Sequence, residues 1–257
     1  MEFLGIDVGG SSIKAGVVDV RAGKIQSEIA AIATPKPSTP EQVMKAVAEL
    51  GKKLPSKGAV GFAFPTVVQA GKARTAAHVD PSWVDAEGAK LVQATLGRPC
   101  AFLNDAAAAG LAEMEFGAGR NTQGSVIMLT FGTGIGTALF MDGQLFPNTE
   151  LGHLEFDGME AEARASGRAR MERKLDWSSY MNELNYVINS IHALFWPDLI
   201  VLCGGITADN PNLTDDLKAR VPLKVGALRA DAGIVGAAFA TTLAQGVWIK
   251  PAKAAAK

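Results

Sequence analysis

Asp7-Val8-Gly9-Gly10-Ser11-Ser12-Ile13-Lys14-Ala15-Gly16-Val17-Val18-Asp19 is the stretch on which the fold turns. Apolar Phe3, Leu4 and Ile6 lead into it, Gly9-Gly10-Ser11-Ser12 interrupts the run, and Ile13, Val17 and Val18 resume it. That is strand, glycine-rich turn, strand. Thr130 to Asp142 has the same grammar at the same spacing, with Gly132-Thr133-Gly134-Ile135-Gly136 as its turn. Two such units point to related halves facing one cleft, although glycine-rich hairpins are common on their own.

The segments between them alternate. Pro35, Pro37 and Pro40 mark a loop, and a helix is expected just after Pro40, with Val43, Val47, Leu50 and Leu54 on its apolar face. Val60 to Pro65 and Ala101-Phe102-Leu103 read as strands, the second delivering Asn104-Asp105 to its C-terminal end. A helix follows from Ala106 to Phe116. A longer one is expected from Ser178 to Trp196, with Tyr180, Leu184, Val187, Ile188, Ile191 and Phe195 as its stripe and Pro197 as its stop. Leu199 to Leu202 is a strand feeding Gly204-Gly205, and Gly233 to Leu243 a helix of small residues. This alternation is α/β in class. The expected division is an N-terminal α/β domain over residues 1–104, with a C-terminal helix over 233–248 as its candidate completion. A second α/β domain covers 105–232, and 249–257 is a frayed tail.

Composition removes several alternatives. At 257 residues, 48% hydrophobic and 20% charged, the chain is too apolar for disorder and long enough for a real core. Lys+Arg of 25 against Asp+Glu of 26 gives a net charge of −1, so no global basic excess argues for nucleic acid. Cys100 and Cys203 lie far apart, with no Cys-x-x-Cys pair, which speaks against a cysteine zinc site. No apolar run approaches the roughly 20 residues of a membrane span. The first residues lack the pattern of a signal peptide, so the expected compartment is the cytoplasm.

Four constellations carry chemistry. In the first turn, Gly9 and Gly10 let the backbone approach a bulky anion, Ser11 and Ser12 add hydroxyls, and Lys14 adds a cation. Asp7 is placed to hold Mg²⁺ through water. No Lys-Ser/Thr follows Gly10, so this is not a P-loop, and a plain hairpin with a solvated lysine is the bland alternative. Gly132, Thr133 and Gly134 form a second phosphate-type loop, or a bulged hairpin. Asp105 reads either as a helix cap or as a general base that draws the proton from a sugar hydroxyl, with Asn104 bonding adjacent hydroxyls. Glu150 and His153 suit a polyol, or are a surface glutamate and a satisfied histidine. Arg164, Arg168, Arg170, Arg173 and Lys174 form the densest basic run, either a solvated helix face or a polyanion site.

In this order, Asp7-x-Gly-Gly-Ser, Asn104-Asp105, Gly132-Thr-Gly-Ile-Gly, Glu150-Leu-Gly-His153 and Gly204-Gly205 resemble the ROK family of sugar kinases over roughly residues 2–245. Leu129 to Gly136, Phe195-Trp196-Pro197-Asp198-Leu199 and Val79-Asp80-Pro81-Ser82-Trp83 are most similar to the branch that draws on inorganic polyphosphate. The resemblance implies an actin-like (RNase H-like) duplicated fold, two α/β domains around a cleft. It implies a homodimer that phosphorylates the 6-hydroxyl of glucose, or mannose, from polyphosphate or ATP with Mg²⁺. Asp105 matches the catalytic base; Asn104, Glu150, His153 and Glu162 match sugar contacts; Gly204 and Gly205 match the adenosine-side motif. Three departures stand out. The Cys-x-Cys-Gly-x-x-Gly-Cys zinc motif of many members is replaced by Asp157-Gly158-Met159-Glu160-Ala161, so no zinc is expected. His78 stands where Asn is expected. No DNA-binding segment precedes Met1, which favours a kinase over a sugar-sensing regulator. A strictly ATP-dependent kinase and an actin-like ATPase are the remaining alternatives.

Overall fold

The computed structural model describes residues 1–244. The expected end of the last helix at 248 and the tail over 249–257 lie outside the described residues. The chain divides into two compact units, Met1–Glu115 with the described residues from Gly233 on, and Phe116–Ala232. The sequence-expected boundary after residue 104 falls inside the first of these, where a strand hands over to a helix.

In the first unit, β1 (Glu2–Val8), β2 (Ser12–Asp19), β3 (Lys24–Ile25) and β4 (Ala30–Ala33) are followed by α1 (Pro40–Lys53) and β5 (Val60–Phe64). Short β6 (Val68–Gln69) and β7 (Lys72–Ala73) pair with each other, and α2 (Gly88–Leu96), β8 (Cys100–Asn104) and α3 (Asp105–Phe116) complete the series. The sheet order is β3-β2-β1-β5-β8: an antiparallel hairpin, then parallel strands. β4 adds to β2. Pro40 occupies the first turn of α1, where its missing N–H costs nothing, and the Thr39 hydroxyl accepts from Gln42 N–H. Val43, Val47 and Leu50 are buried, as the periodicity predicts.

The second unit repeats this plan. β9 (Ser125–Phe131), β10 (Ile135–Met141) and β11 (Gln144–Phe146) form the antiparallel part. β12 (Glu155–Phe156), β13 (Met159–Glu160), α4 (Ala161–Ala165), α5 (Gly167–Glu172) and α6 (Trp177–Phe195) intervene before β14 (Leu199–Cys203), α7 (Gly205–Asp209) and β15 (Leu223–Val225). The order β11-β10-β9-β14-β15 matches the first sheet strand for strand. The repeat noticed in the sequence is thus a repeat of topology. Asp176 caps α6 by accepting from Ser179 N–H at 2.7 Å. Tyr180 through Ile191 of the expected stripe are buried, but Phe195 is exposed. The helix ends at Phe195 and Trp196 turns left-handed, so the final residue leaves the core face.

Finally, α8 (Ala232–Ala244) returns to the first unit. Its small residues have a steric reason. A Cβ on Gly5 would lie 2.0 Å from the Ile234 carbonyl oxygen, one on Gly61 1.7 Å from that of Ala237, and one on Gly236 1.7 Å from that of Ala108. Helix backbone therefore lies directly on strand and helix backbone, an approach that only glycine permits.

Candidate active site

The first unit gathers two carboxylates around its glycine turn. β1 ends at Val8, and Gly9 N–H donates to the Ser12 carbonyl at 3.0 Å, closing a turn through Gly10 and Ser11. Thr34 braces it from outside, its hydroxyl donating to the Gly9 carbonyl at 2.6 Å and its N–H to the Ser11 carbonyl at 3.1 Å. Asp7, cross-strand from Lys14, lies against the start of α8, where a Cβ on Gly233 would approach its carboxylate to 2.5 Å. Burial foremost, and then the charge of Asp105, raise the Asp7 carboxyl to about 7, while Lys14 opposes the rise.

Asn104 and Asp105 stand at the junction of β8 and α3, and the structure divides their work. The Asn104 side-chain Oδ1 accepts from Ala107 N–H at 3.0 Å, and its Nδ2 donates to the Thr66 backbone carbonyl at 3.1 Å. Asn104 is therefore the helix cap. Each end of its amide retains one further hydrogen-bonding position. Asp105 opens the helix, with one oxygen accepting from Ala106 N–H at 2.8 Å. Burial raises its carboxyl; that N–H and the nearby His78 pull it back.

A cavity of about 260 Å³ opens beside the turn, lined by Gly9, Gly10, the Thr34–Ser38 segment and His78 to Asp80. The Asp80-Pro81-Ser82-Trp83 motif builds its wall. Asp80 caps a short 3₁₀ turn, and buried Trp83 packs on Phe64 with centroids 4.2 Å apart. The Trp83 indole N–H donates to the Ser38 carbonyl at 2.8 Å.

In the second unit the residues converge on Ile135. Its N–H, the first after Gly132-Thr133-Gly134, donates to buried Glu162 at 3.0 Å. Its carbonyl faces Gly152, where a Cβ would come within 2.3 Å, and this close contact seats the Glu150–His153 segment beside the loop. The second Glu162 oxygen accepts from Arg168 at 3.2 Å. Gly167 N–H donates to the Gly132 carbonyl at 2.8 Å. Gly132 and Thr133 are exposed. Gly204 has φ of 92°, and a Cβ there would lie 2.4 Å from the Phe131 carbonyl oxygen, so it fits the strand end behind the loop. Gly205 faces open space.

Three members of the basic run are spent on the fold. Arg164 and Arg173 both bind Glu183, at 3.2 and 2.6 Å, and the Arg170 guanidinium lies over the Trp177 and Tyr180 rings. Lys174 takes a left-handed turn position. Sequence reasoning overlooked Thr34, Thr66, Gly152, Gly167 and Gly233. For each the signal is a partner distant in the chain, which no local pattern carries.

Among the described residues no group of three or more His, Cys, Asp and Glu side chains is placed to hold a metal, and no helix is long and apolar enough to cross a membrane.

Comparison with known proteins covers nearly all of the chain. The ROK family profile matches residues 3–173. A polyphosphate glucokinase of Mycobacterium tuberculosis is 43% identical over 238 residues, 92% of this chain and 90% of that protein. The inorganic polyphosphate/ATP-glucomannokinase from Arthrobacter sp. strain KM, a solved structure, superimposes with a TM-score of 0.91 at 43% identity, covering 95% of this chain and 99% of that one. A ROK family glucokinase from Streptomyces griseus, solved with glucose and AMPPNP, shares the fold with a TM-score of 0.79 at 24% identity, covering 93% and 98%.

Proposed function

The chain belongs to the ROK family, and we propose that it is a glucokinase that phosphorylates the 6-hydroxyl of glucose from inorganic polyphosphate, with ATP as a second donor. The fold is the actin-like one of that family, duplicated in two α/β units. The carrying observation is the division of labour at the start of α3. Asn104 is the cap that takes Ala107 N–H, while Asp105 accepts from Ala106 N–H through one oxygen, and its other oxygen is the proposed proton acceptor. Held in a buried setting that raises its basicity, Asp105 takes the proton of the sugar hydroxyl as the new phosphoester bond forms. Asn104, Glu150, His153 and Glu162 are the proposed sugar contacts. Gly9, Gly10, Ser11, Ser12, Lys14, Gly132, Thr133 and Gly134 are the proposed phosphate contacts, and Gly204 and Gly205 the adenosine side for ATP.

The chain also suits magnesium. Asp7 and Asp105 repel each other electrostatically, which a divalent cation would relieve. Mg²⁺ keeps most of its waters and takes phosphate ligands, so one or two carboxylates suffice on the protein side. Asp7 is the residue that would hold it, and the ion would supply neutralisation of the donor's charge.

Polyphosphate as donor draws support from the 43% identity to proteins named for that activity. The arginine run lends it none, because Arg164, Arg170 and Arg173 serve the fold. The same reading has the enzyme work in the cytoplasm as a homodimer, with neither membrane nor nucleic acid as partner. The test is glucose 6-phosphate formation with Mg²⁺ and either polyphosphate or ATP. Faster turnover on polyphosphate is expected. Turnover on ATP alone overturns the donor, and sugar binding without transfer from either overturns the kinase.

A further inference from the structure

The hairpin β12–β13 stands directly beside His153. Its turn, Asp157-Gly158, has left-handed φ angles of 50° and 72°, the geometry of a two-residue hairpin. Arg164 fastens it, its Nε and Nη2 donating to the Phe156 carbonyl at 3.2 and 2.8 Å. The Tyr186 hydroxyl donates to Asp157 at 2.5 Å, and the Arg164 guanidinium lies 4.7 Å from the Tyr186 ring centre. Beyond the hairpin, Ala161 N–H donates to the Leu154 carbonyl at 2.9 Å. That bond joins the residue after Glu160 to the residue after His153, setting the two side chains alongside each other. Glu160 occupies the N-cap position of α4 but makes no side-chain capping bond. Its Oε2 instead lies 3.3 Å from His153 Nδ1.

We propose that Glu160 is a positioning residue for His153, fixing the tautomer with which the histidine meets the sugar. The inference rests on the assignment of His153 as a sugar contact. A carboxylate only accepts, so Nδ1 must carry the proton that it receives. A neutral imidazole protonated on Nδ1 leaves the Nε2 lone pair as an acceptor, turned toward a hydroxyl donor. Without Glu160 the ring is free to place its proton on Nε2, and the acceptor becomes a donor. Both side chains are about half exposed, so the hydrogen bond itself stabilises the fold little; its effect lies in the selection of one ring form.

The test compares Glu160→Ala, Glu160→Gln and His153→Gln in full-length enzyme, with glucose KM and kcat and long-range ¹⁵N NMR of the imidazole, the His153→Gln spectrum supplying the assignment. Glu160→Ala is expected to raise glucose KM about five- to tenfold, leave kcat within about twofold, and populate the Nε2–H tautomer. Glu160→Gln keeps an acceptor oxygen and is expected to restore the Nδ1–H form and most of the KM. An unchanged tautomer and KM in Glu160→Ala, with His153→Gln still raising KM, overturns the role of Glu160. A normal KM in His153→Gln overturns instead the sugar contact on which it rests. Unchanged melting temperatures are expected in all three, and a lowered one in Glu160→Ala with the native tautomer retained makes Glu160 a fold residue and overturns the proposal.

Discussion

The two glycine hairpins match in their strand boundaries and differ in how they close. In the first, Val8 pairs with Ile13 and the turn is two residues, Gly10 and Ser11. In the second, Phe131 pairs with Ile135, the register slips by one residue, and Gly132 N–H closes on the Gly134 carbonyl. Their surroundings differ more. Beside the first stand Asp7 and Asp105, two carboxyls held above their ordinary range by burial and, for Asp7, by mutual repulsion. At the place of Asp7 the second hairpin has Thr130, and its loop is framed by backbone contacts with Gly152, Gly167 and Gly204 and by the Glu162 bond. One hairpin is organised around charge, the other around shape. Damage to the first should therefore appear in turnover, and damage to the second in stability.

The largest expected effect is on the charged side. Asp105→Asn removes the proton acceptor while keeping shape, and should lower kcat about a thousandfold or more with glucose binding intact. Near-normal turnover would remove the base and blur the contrast. Next, Gly204→Ala places a Cβ 2.4 Å from the Phe131 carbonyl oxygen at a φ of 92°. It should cost about 2 kcal/mol and lower Tm by roughly 5 °C, whereas Gly205→Ala, facing open space, should shift Tm by no more than about 1 °C. Equal shifts in the two variants would show that the loop's frame tolerates crowding. A further effect is a pH dependence of the first unit. The Asp7 carboxyl sits at about 7 folded and at its ordinary 3.8 unfolded. Between these values the folded, magnesium-free protein binds more protons than the unfolded chain, so stability falls as pH rises from about 4 to 7 and levels off above. Thermal melts of Asp7→Asn should show a flatter slope over that window, and an unchanged slope would locate the linkage elsewhere.

Much of the fold was legible because it is written in local pattern. Glycine turns between apolar strands and the proline that opens α1 needed no tertiary knowledge. The exposed Phe195 was misplaced because apolar spacing cannot tell where a helix leaves its core. At the site, Asp105 was the residue weighed as the cap, with Asn104 read only as a contact for hydroxyls. The choice fell to Asn104, whose amide also reaches Thr66, thirty-eight residues earlier in the chain. The arginine run looked like a free basic surface until Glu183 of α6 came between two of its members.

The sequence by itself determined the periodicities, the two hairpins and the order of the motifs, because each depends on neighbours a few residues away. Only the tertiary structure decided the upward shift of the Asp7 and Asp105 carboxyls, the frame of the second loop, and the pairing of Glu160 with His153. Desolvation, steric approach and hydrogen-bond direction are properties of residues brought together from distant parts of the chain, and they exist only once it has folded.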